Sequence, residues 1–293
     1  MPKTTTDLLN SIKRRAQLPD DGGTLSDLDI LAFATDEIQN VIYPRLMATS
    51  EWHYAFYYME TVTSSRTYRL NPRVAGNRII SVEHYDGSNY RFLPLQHPLK
   101  QRNDVGESYS VYGNNITLST AAPTTGTLRI RAVLRPSKLV DTGCTNVTDI
   151  TNFVITVGSS TGFTGLDKLD VLFYTSPYEA RYIDLGFDAI LSPTEILVQE
   201  NITDSPFTTT NQGRLCPAET SDLVQLPDEL HDYLAQKVAI RCMEARGFTQ
   251  DMNNHLRKLA DLELAFDRLM SPRVKGEFKA IVDTAWEWDG RYW

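Results

Sequence analysis

Leu226-Pro227-Asp228-Glu229-Leu230-His231 is the stretch on which the fold reading turns, because the helical period returns to the chain there. Leu230, Tyr233, Leu234, Val238 and Arg241 then recur on one stripe until Gly247 stops it. Thr249 opens a second run, with Met252, Leu256, Leu259, Leu262, Phe266 and Met270 on one face, and Ser271-Pro272 ends it. Two consecutive amphipathic helices predict a helical hairpin whose apolar stripes need cover.

Working back, the cover is found at the other end of the chain. Residues 6–17 form a short amphipathic run, and between 24 and 51 the residues Leu28, Leu31, Ile38, Val41, Ile42 and Leu46 recur at helical spacing. Ser26 stands three residues before Asp29, as a capping box requires, and Pro44 is expected to kink or end this helix. Between the two helical parts lie β-rich runs. Residues 54–62, 78–85 and 127–134 read as an antiparallel meander, and 153–157, 170–174, 179–185 and 195–198 as strands of a small barrel. Residues 201–222, rich in Thr, Ser, Asn and Pro, read as a loop.

The expected fold class is therefore α+β: a split antiparallel helical bundle with an inserted β-meander and a further inserted small β-barrel-like domain. Residues 1–51 supply the first helices, 52–139 the meander, 140–225 the inserted β domain, 226–271 the helical hairpin and 272–293 a C-terminal arm.

Composition narrows the function. A hydrophobic share of 41% and a charged share of 23% are ordinary for a globular protein, and no apolar run approaches the ~18 residues of a membrane span. The N-terminus lacks a signal-peptide pattern, which predicts assembly in the cytoplasm. Cys144, Cys216 and Cys242 have no C-x-x-C spacing, and Cys144 and Cys216 are expected to lie near each other as unbonded thiols. A net charge of −8 without a localised Lys/Arg stripe predicts no tight grip on nucleic acid.

Candidate catalytic patterns are sparse. His53, His84, His97, His231 and His255 form no local metal motif, so no metal and no cofactor are expected. Gly158-Ser159-Ser160-Thr161-Gly162 has the composition of a phosphate loop but lacks the Lys that reaches phosphate, and reads as a turn. Cys242 on a helix reads as a small buried hydrophobe. Asp20-Asp21, Asp27-Asp29 and Asp167-Asp170 offer carboxylates for a glycosidase-type pair, but caps and turns are the stronger reading. The Asn-x-Thr triplets at Asn115, Asn146 and Asn201 read as strand and turn residues. The tail is less ordinary: Phe278, Ile281, Trp286, Trp288, Arg291, Tyr292 and Trp293 are of the types that interfaces favour, and they are the candidate partner-binding residues.

The order of elements resembles the head-to-tail adaptor (connector, head-completion or tail-tube ring) proteins of tailed bacteriophages. Residues 28–45 look like that family's long N-terminal helix. Tyr109-x-Val111-x-Gly113-Asn114-x-Ile116-x-Leu118 looks like its central hairpin, and 131–136 followed by Leu226-Pro227 like its return strand and C-terminal helix entry. Residues 140–225 depart from the simple family pattern as an added β domain.

The resemblance implies a non-enzymatic virion subunit at the head–tail interface. Its partners would be the portal protein, other tail or ring proteins and copies of itself in a dodecameric ring, with double-stranded DNA passing through the lumen without specific binding and no membrane contact. The alternative is a tail or baseplate module that recognises a surface glycan through exposed aromatics such as Tyr174, Tyr178 and Tyr182.

Overall fold

The computed structural model describes residues 3–18, 25–49, 55–96, 106–119, 122, 124–173, 182–200, 202, 213–248 and 252–270. The chain opens with helix α1 (Thr5–Ala16), whose first turn is closed by a reciprocal cap: Thr4 Oγ1 accepts from the Asp7 N–H, and the Asp7 carboxylate accepts from the Thr4 N–H. Helix α2 (Asp27–Glu37) starts in the same way at Ser26 and Asp29. It runs through a π-helical turn, Ile38–Ile42, into α3 (Tyr43–Thr49). Pro44 thus does not end the helix. The wide turn, in which the Tyr43 N–H donates to the Ile38 carbonyl, shifts the hydrogen-bond ladder just before the residue that has no N–H to give.

Strands then follow for most of the chain: β1 (Ala55–Thr61), β2 (Thr67–Arg69), β3 (Val74–Tyr85), β4 (Tyr90–Leu93), β5 (Tyr109–Tyr112), β6 (Asn115–Leu118), β7 (Thr127–Leu134) and β8 (Lys138–Leu139). They continue as β9 (Thr145–Thr151), β10 (Val154–Val157), β11 (Lys168–Phe173), β12 (Tyr182–Ser192), β13 (Glu195–Val198), β14 (Gly213–Pro217) and β15 (Thr220–Ser221). A 3-10 turn, Asp228–Leu230, leads into α4 (His231–Ala245) and then α5 (Met252–Met270).

Ten strands share one sheet in the order β11-β14-β9-β10-β13-β12-β1-β7-β3-β4, and β11 also pairs with β12. The first six thereby close into a barrel, filled by Val147, Ile155, Val157, Phe163, Leu169, Val171, Ile196 and Leu215 among others. Strand β12 continues the sheet out of the barrel by a parallel pairing with β1 at Tyr57 and Tyr182, and β1, β7, β3 and β4 follow as an antiparallel extension. Two smaller sheets, β2-β6-β5 and β15-β8, complete the β part among the described residues.

Helix α4 is buried nearly all round, with Tyr233, Leu234, Ala235, Val238, Ala239 and Cys242 in the same apolar core as Ile130, Ala132 and Leu134 of β7. The other helices lie about it. Arg15 of α1 reaches Asp232 at 2.6 Å, Lys237 reaches Glu37 of α2 at 2.7 Å, and the Tyr233 ring meets Phe266 of α5 with centroids 5.3 Å apart.

The expected helical bundle with inserted domains is therefore corrected. The molecule is mostly β, a closed six-stranded barrel with further strands, and its helices are few and short. The physical reason lies in where the apolar stripes go: they are shared with strand residues in one core, so helix covers sheet and does not form an independent bundle. The stretch read as a loop, 201–222, contributes β14, which sits between β11 and β9 in the barrel wall, and β15. Cys144 and Cys216 do lie together, but as a disulfide with Cα atoms 4.3 Å apart, and not as separate thiols.

Candidate functional site

Strand β7 sets two faces by simple alternation. Leu128, Ile130 and Ala132 are buried in the main core, while Arg129 and Arg131 point to the other side of the sheet. The register places Met59 and Glu83 on either side of Arg129, and Tyr57 and Ser81 on either side of Arg131. Next along, Glu83 stands opposite Phe92 and Tyr85 opposite Tyr90. This outer face is thus built from Tyr57, Met59, Arg129, Arg131, Glu83, Tyr85, Tyr90 and Phe92.

Its side chains are mutually held. The Arg129 guanidinium lies 3.5 Å from the Tyr90 ring centroid and 5.1 Å from that of Tyr57, and its Nε donates to Glu83 at 2.8 Å. Arg131 lies 5.6 Å from the Tyr57 ring, and the Tyr85 and Tyr90 rings are 4.7 Å apart. At the β1 end Tyr57 and Met59 pack against the barrel core. At the β4 end the face reaches solvent, with Phe92 64% and Leu95 63% exposed. Aromatic, Arg and Met side chains together are the composition of interface centres.

The charge balance of this region differs from that of the chain. Residues 55–139 contain eleven Lys and Arg against five Asp and Glu, a balance of +6, which leaves −14 on the rest of a chain totalling −8. Sequence reasoning that sought a basic stripe missed this, because its arginines alternate with core residues and lie on several strands. The run Leu128-Arg129-Ile130-Arg131-Ala132 was the signal that could have found it.

A second cluster joins the barrel to the sheet extension. Arg73, at the start of β3, donates to Asp170 of β11 at 3.1 Å, to Asp184 of β12 at 3.2 Å and to Ser137 at 3.1 Å. Asp170 also accepts the N–H groups of Asp184 and Glu219, and Asn71 donates to Asp184. Burial works to lower the pKa of Arg73, but the two carboxylates facing it hold it above its usual value. With its donors and acceptors turned on each other, the cluster is a structural junction.

A third cluster surrounds the disulfide. Asp222 lies beside Cys216, with ligand atoms of Cys144, Cys216 and Asp222 all within 4.8 Å of one another. The trio does not fit a metal ion: its sulfurs are bonded to each other, and Asp222 is neutralised by Arg214, whose Nε donates at 3.1 Å.

The other sequence candidates fall apart in space or into packing roles. His84 and His231 are buried, with Nε2 on the Thr125 and Leu226 carbonyls at 2.7 and 3.0 Å, and His255 Nδ1 accepts from Gln236. His53 and His97 lie outside the described residues. Gly126 makes the His84 contact feasible, since a Cβ there would stand 2.6 Å from His84 Nε2. Residues 158–162 form a turn and precede no helix. Asp27 pairs with Lys13, Asp29 caps α2, and Asp170 is spent on Arg73, while Asp20 and Asp21 lie outside the described residues. Burial pushes the Cys242 thiol up to about 11, so it is a core hydrophobe and not a nucleophile. Tyr182 is 2% exposed and cannot serve a glycan, and Tyr174 and Tyr178 lie outside the described residues. The seven tail candidates, Phe278, Ile281, Trp286, Trp288, Arg291, Tyr292 and Trp293, also lie outside them.

No protein-family model matches the chain, and no curated protein is significantly similar to it in sequence.

Proposed function

We propose that the chain is a structural subunit of a tailed-phage particle, an adaptor that joins the DNA-filled head to the tail. The observation that carries this reading is the distribution of exposed apolar side chains. Large ones stand on separate parts of the surface: Leu28 on α2, Phe92, Leu95 and Tyr112 around β4 and β5, and Phe248, Leu256, Leu264 and Leu269 on and before α5. A subunit with several neighbours needs several such places, whereas an enzyme needs one cleft. The order of elements quoted above gives this surface its context, with portal, tail and ring neighbours as partners and DNA passing through the ring.

The order of helices, strands and then helices persists in the corrected fold, although the helices do not form the bundle that the resemblance implied. The C-terminal residues 272–293 act in this reading as an assembly arm. The test is to assemble particles without the protein. DNA-filled heads lacking tails, repaired by adding the wild-type chain, are the expected result. Complete infectious particles formed without it would overturn the reading.

A further inference from the structure

We propose that neighbouring copies of this chain join head to tail, with the acidic outer wall of one barrel seated on the three-stranded sheet β2-β6-β5 of the next. The inference rests on the adaptor reading and deepens it by naming the two surfaces through which ring copies meet.

Both surfaces are set by strand register. In the small sheet Arg69 stands opposite Asn115, and Asn115 opposite Tyr112, so the three form one row across β2, β6 and β5. All three are exposed, Tyr112 at 76%, while Tyr68 and Ile116 on the other side of the same sheet are buried in the main core. On the barrel, Asp149 stands opposite Thr156 and Thr156 opposite Glu195, a row across β9, β10 and β13. The neighbouring Ile150, Ile155 and Ile196 are buried inside the barrel, so this row faces outward. Leu191, 53% exposed, lies beside Glu195 at the irregularity between the Ile190–Ile196 and Ser192–Glu195 pairs. Among the described residues, neither Arg69 nor Glu195 has an ion-pair partner within its own copy.

Charge selects the occupant. Residues 140–225 hold twelve Asp and Glu against three Lys and Arg, a balance of −9, beside the +6 of residues 55–139. The shared strand β12 and the Arg73 junction fix these opposite charges in one body, so each copy is polar. A two-fold contact centred on either region would set like charge on like. A head-to-tail contact sets opposite charges together at every step and repeats until a ring closes. Arg69 then gains the Glu195 carboxylate, and the Tyr112 ring gains Leu191 as an apolar seat; Arg and Tyr are the side chains that dominate such contacts.

Light scattering on the purified chain tests this. The wild type should grow past dimers as its concentration rises, and raising salt from about 0.05 M to about 0.5 M should weaken the association. Arg69→Glu and Leu191→Asp should each weaken it at least tenfold while thermal unfolding of the monomer stays unchanged, because both side chains are exposed. Mixed in equal amounts, these two variants should form dimers and nothing larger, since one intact sheet meets one intact barrel and the remaining surfaces repel. Arg69→Glu combined with Glu195→Lys in one chain should regain association through the reversed pair. A wild type that stays monomeric or stops at dimers overturns the inference, as do single variants that associate like the wild type or a mixture that remains monomeric. The adaptor reading is decided separately, by particle assembly without the protein, so either can fail alone.

Discussion

In the barrel every strand is flanked on both sides, whereas among the described residues the last strand of the extension β1-β7-β3-β4 is placed beside β3 alone. Both regions are made of the same alternating side chains, and both bury one side of each strand. The barrel turns its second side outward as polar residues such as Thr148, Asp149 and Thr151. The extension keeps rings, a methionine and arginines there. Closure leaves a wall with no edge to complete, and an open sheet retains both an edge and a face on which another chain can be recognised.

The comparison breaks first where the two regions are joined. Replacing Arg73 by Ala leaves Asp170 and Asp184 facing each other without their cation, which should cost about 3–5 kcal/mol. Urea unfolding should detect it, with strands of both regions losing protection together. A loss confined to the extension would mean that the barrel does not depend on the junction.

The next largest effect should be confined to the barrel. The disulfide links Cys144, at the entry to β9, with Cys216 in the neighbouring β14, and encloses a sequence separation of 72 residues. Changing both to Ser should cost about 2–4 kcal/mol. Faster exchange in β9 and β14, with β7 and β3 unchanged, would sharpen the contrast.

On the open face, Arg129→Ala removes the guanidinium between Tyr90, Tyr57 and Glu83. Stability should fall by only about 1–2 kcal/mol, read from the urea midpoint, because the core side of β7 is untouched. A larger loss would make this face part of the core and not a surface for partners.

The smallest effect belongs to neither region. His231 is buried with Nε2 on the Leu226 carbonyl, and burial lowers its pKa from 6.5, so the unfolded chain takes up its proton first. The contribution of the neutral ring is complete above 6.5 and is lost as pH falls below it. Unfolding free energy measured from pH 7.5 to 5.5 should therefore decline less in His231→Gln than in the wild type. Parallel curves would remove His231 from the account.

The sequence carried the local features well and the long-range ones poorly. The caps at Ser26 and Asp29 and the alternation from Leu128 to Leu134 are legible because their partners lie within a few residues. Pairings such as Tyr57 with Tyr182, or β14 between β11 and β9, join distant residues and leave no period to read. Helix α4 misled for another reason: Ala235, Ala239 and Gln236 are buried between the larger residues, so one apolar stripe was read where the whole circumference is covered. The metal-free reading of the cysteines was drawn from their spacing, which says nothing about Cys144 meeting Cys216. The outer arginine face was missed because charge was sought as a run.

Strand β12 has a mechanical consequence. Its eleven residues extend over about 35 Å. The strand pairs with β11 and β13 inside the barrel and meets β1 at Tyr182, so it belongs to both regions. A tether of loops would let one region swing while the other stood still. A shared strand, clamped near its start by Arg73 on Asp184, acts as a common beam: torque applied at β4 is carried into the barrel as twist along β12. A load arriving at the edge therefore reaches the barrel through the β1–β12 pairing at Tyr57 and Tyr182 and through the Arg73 junction.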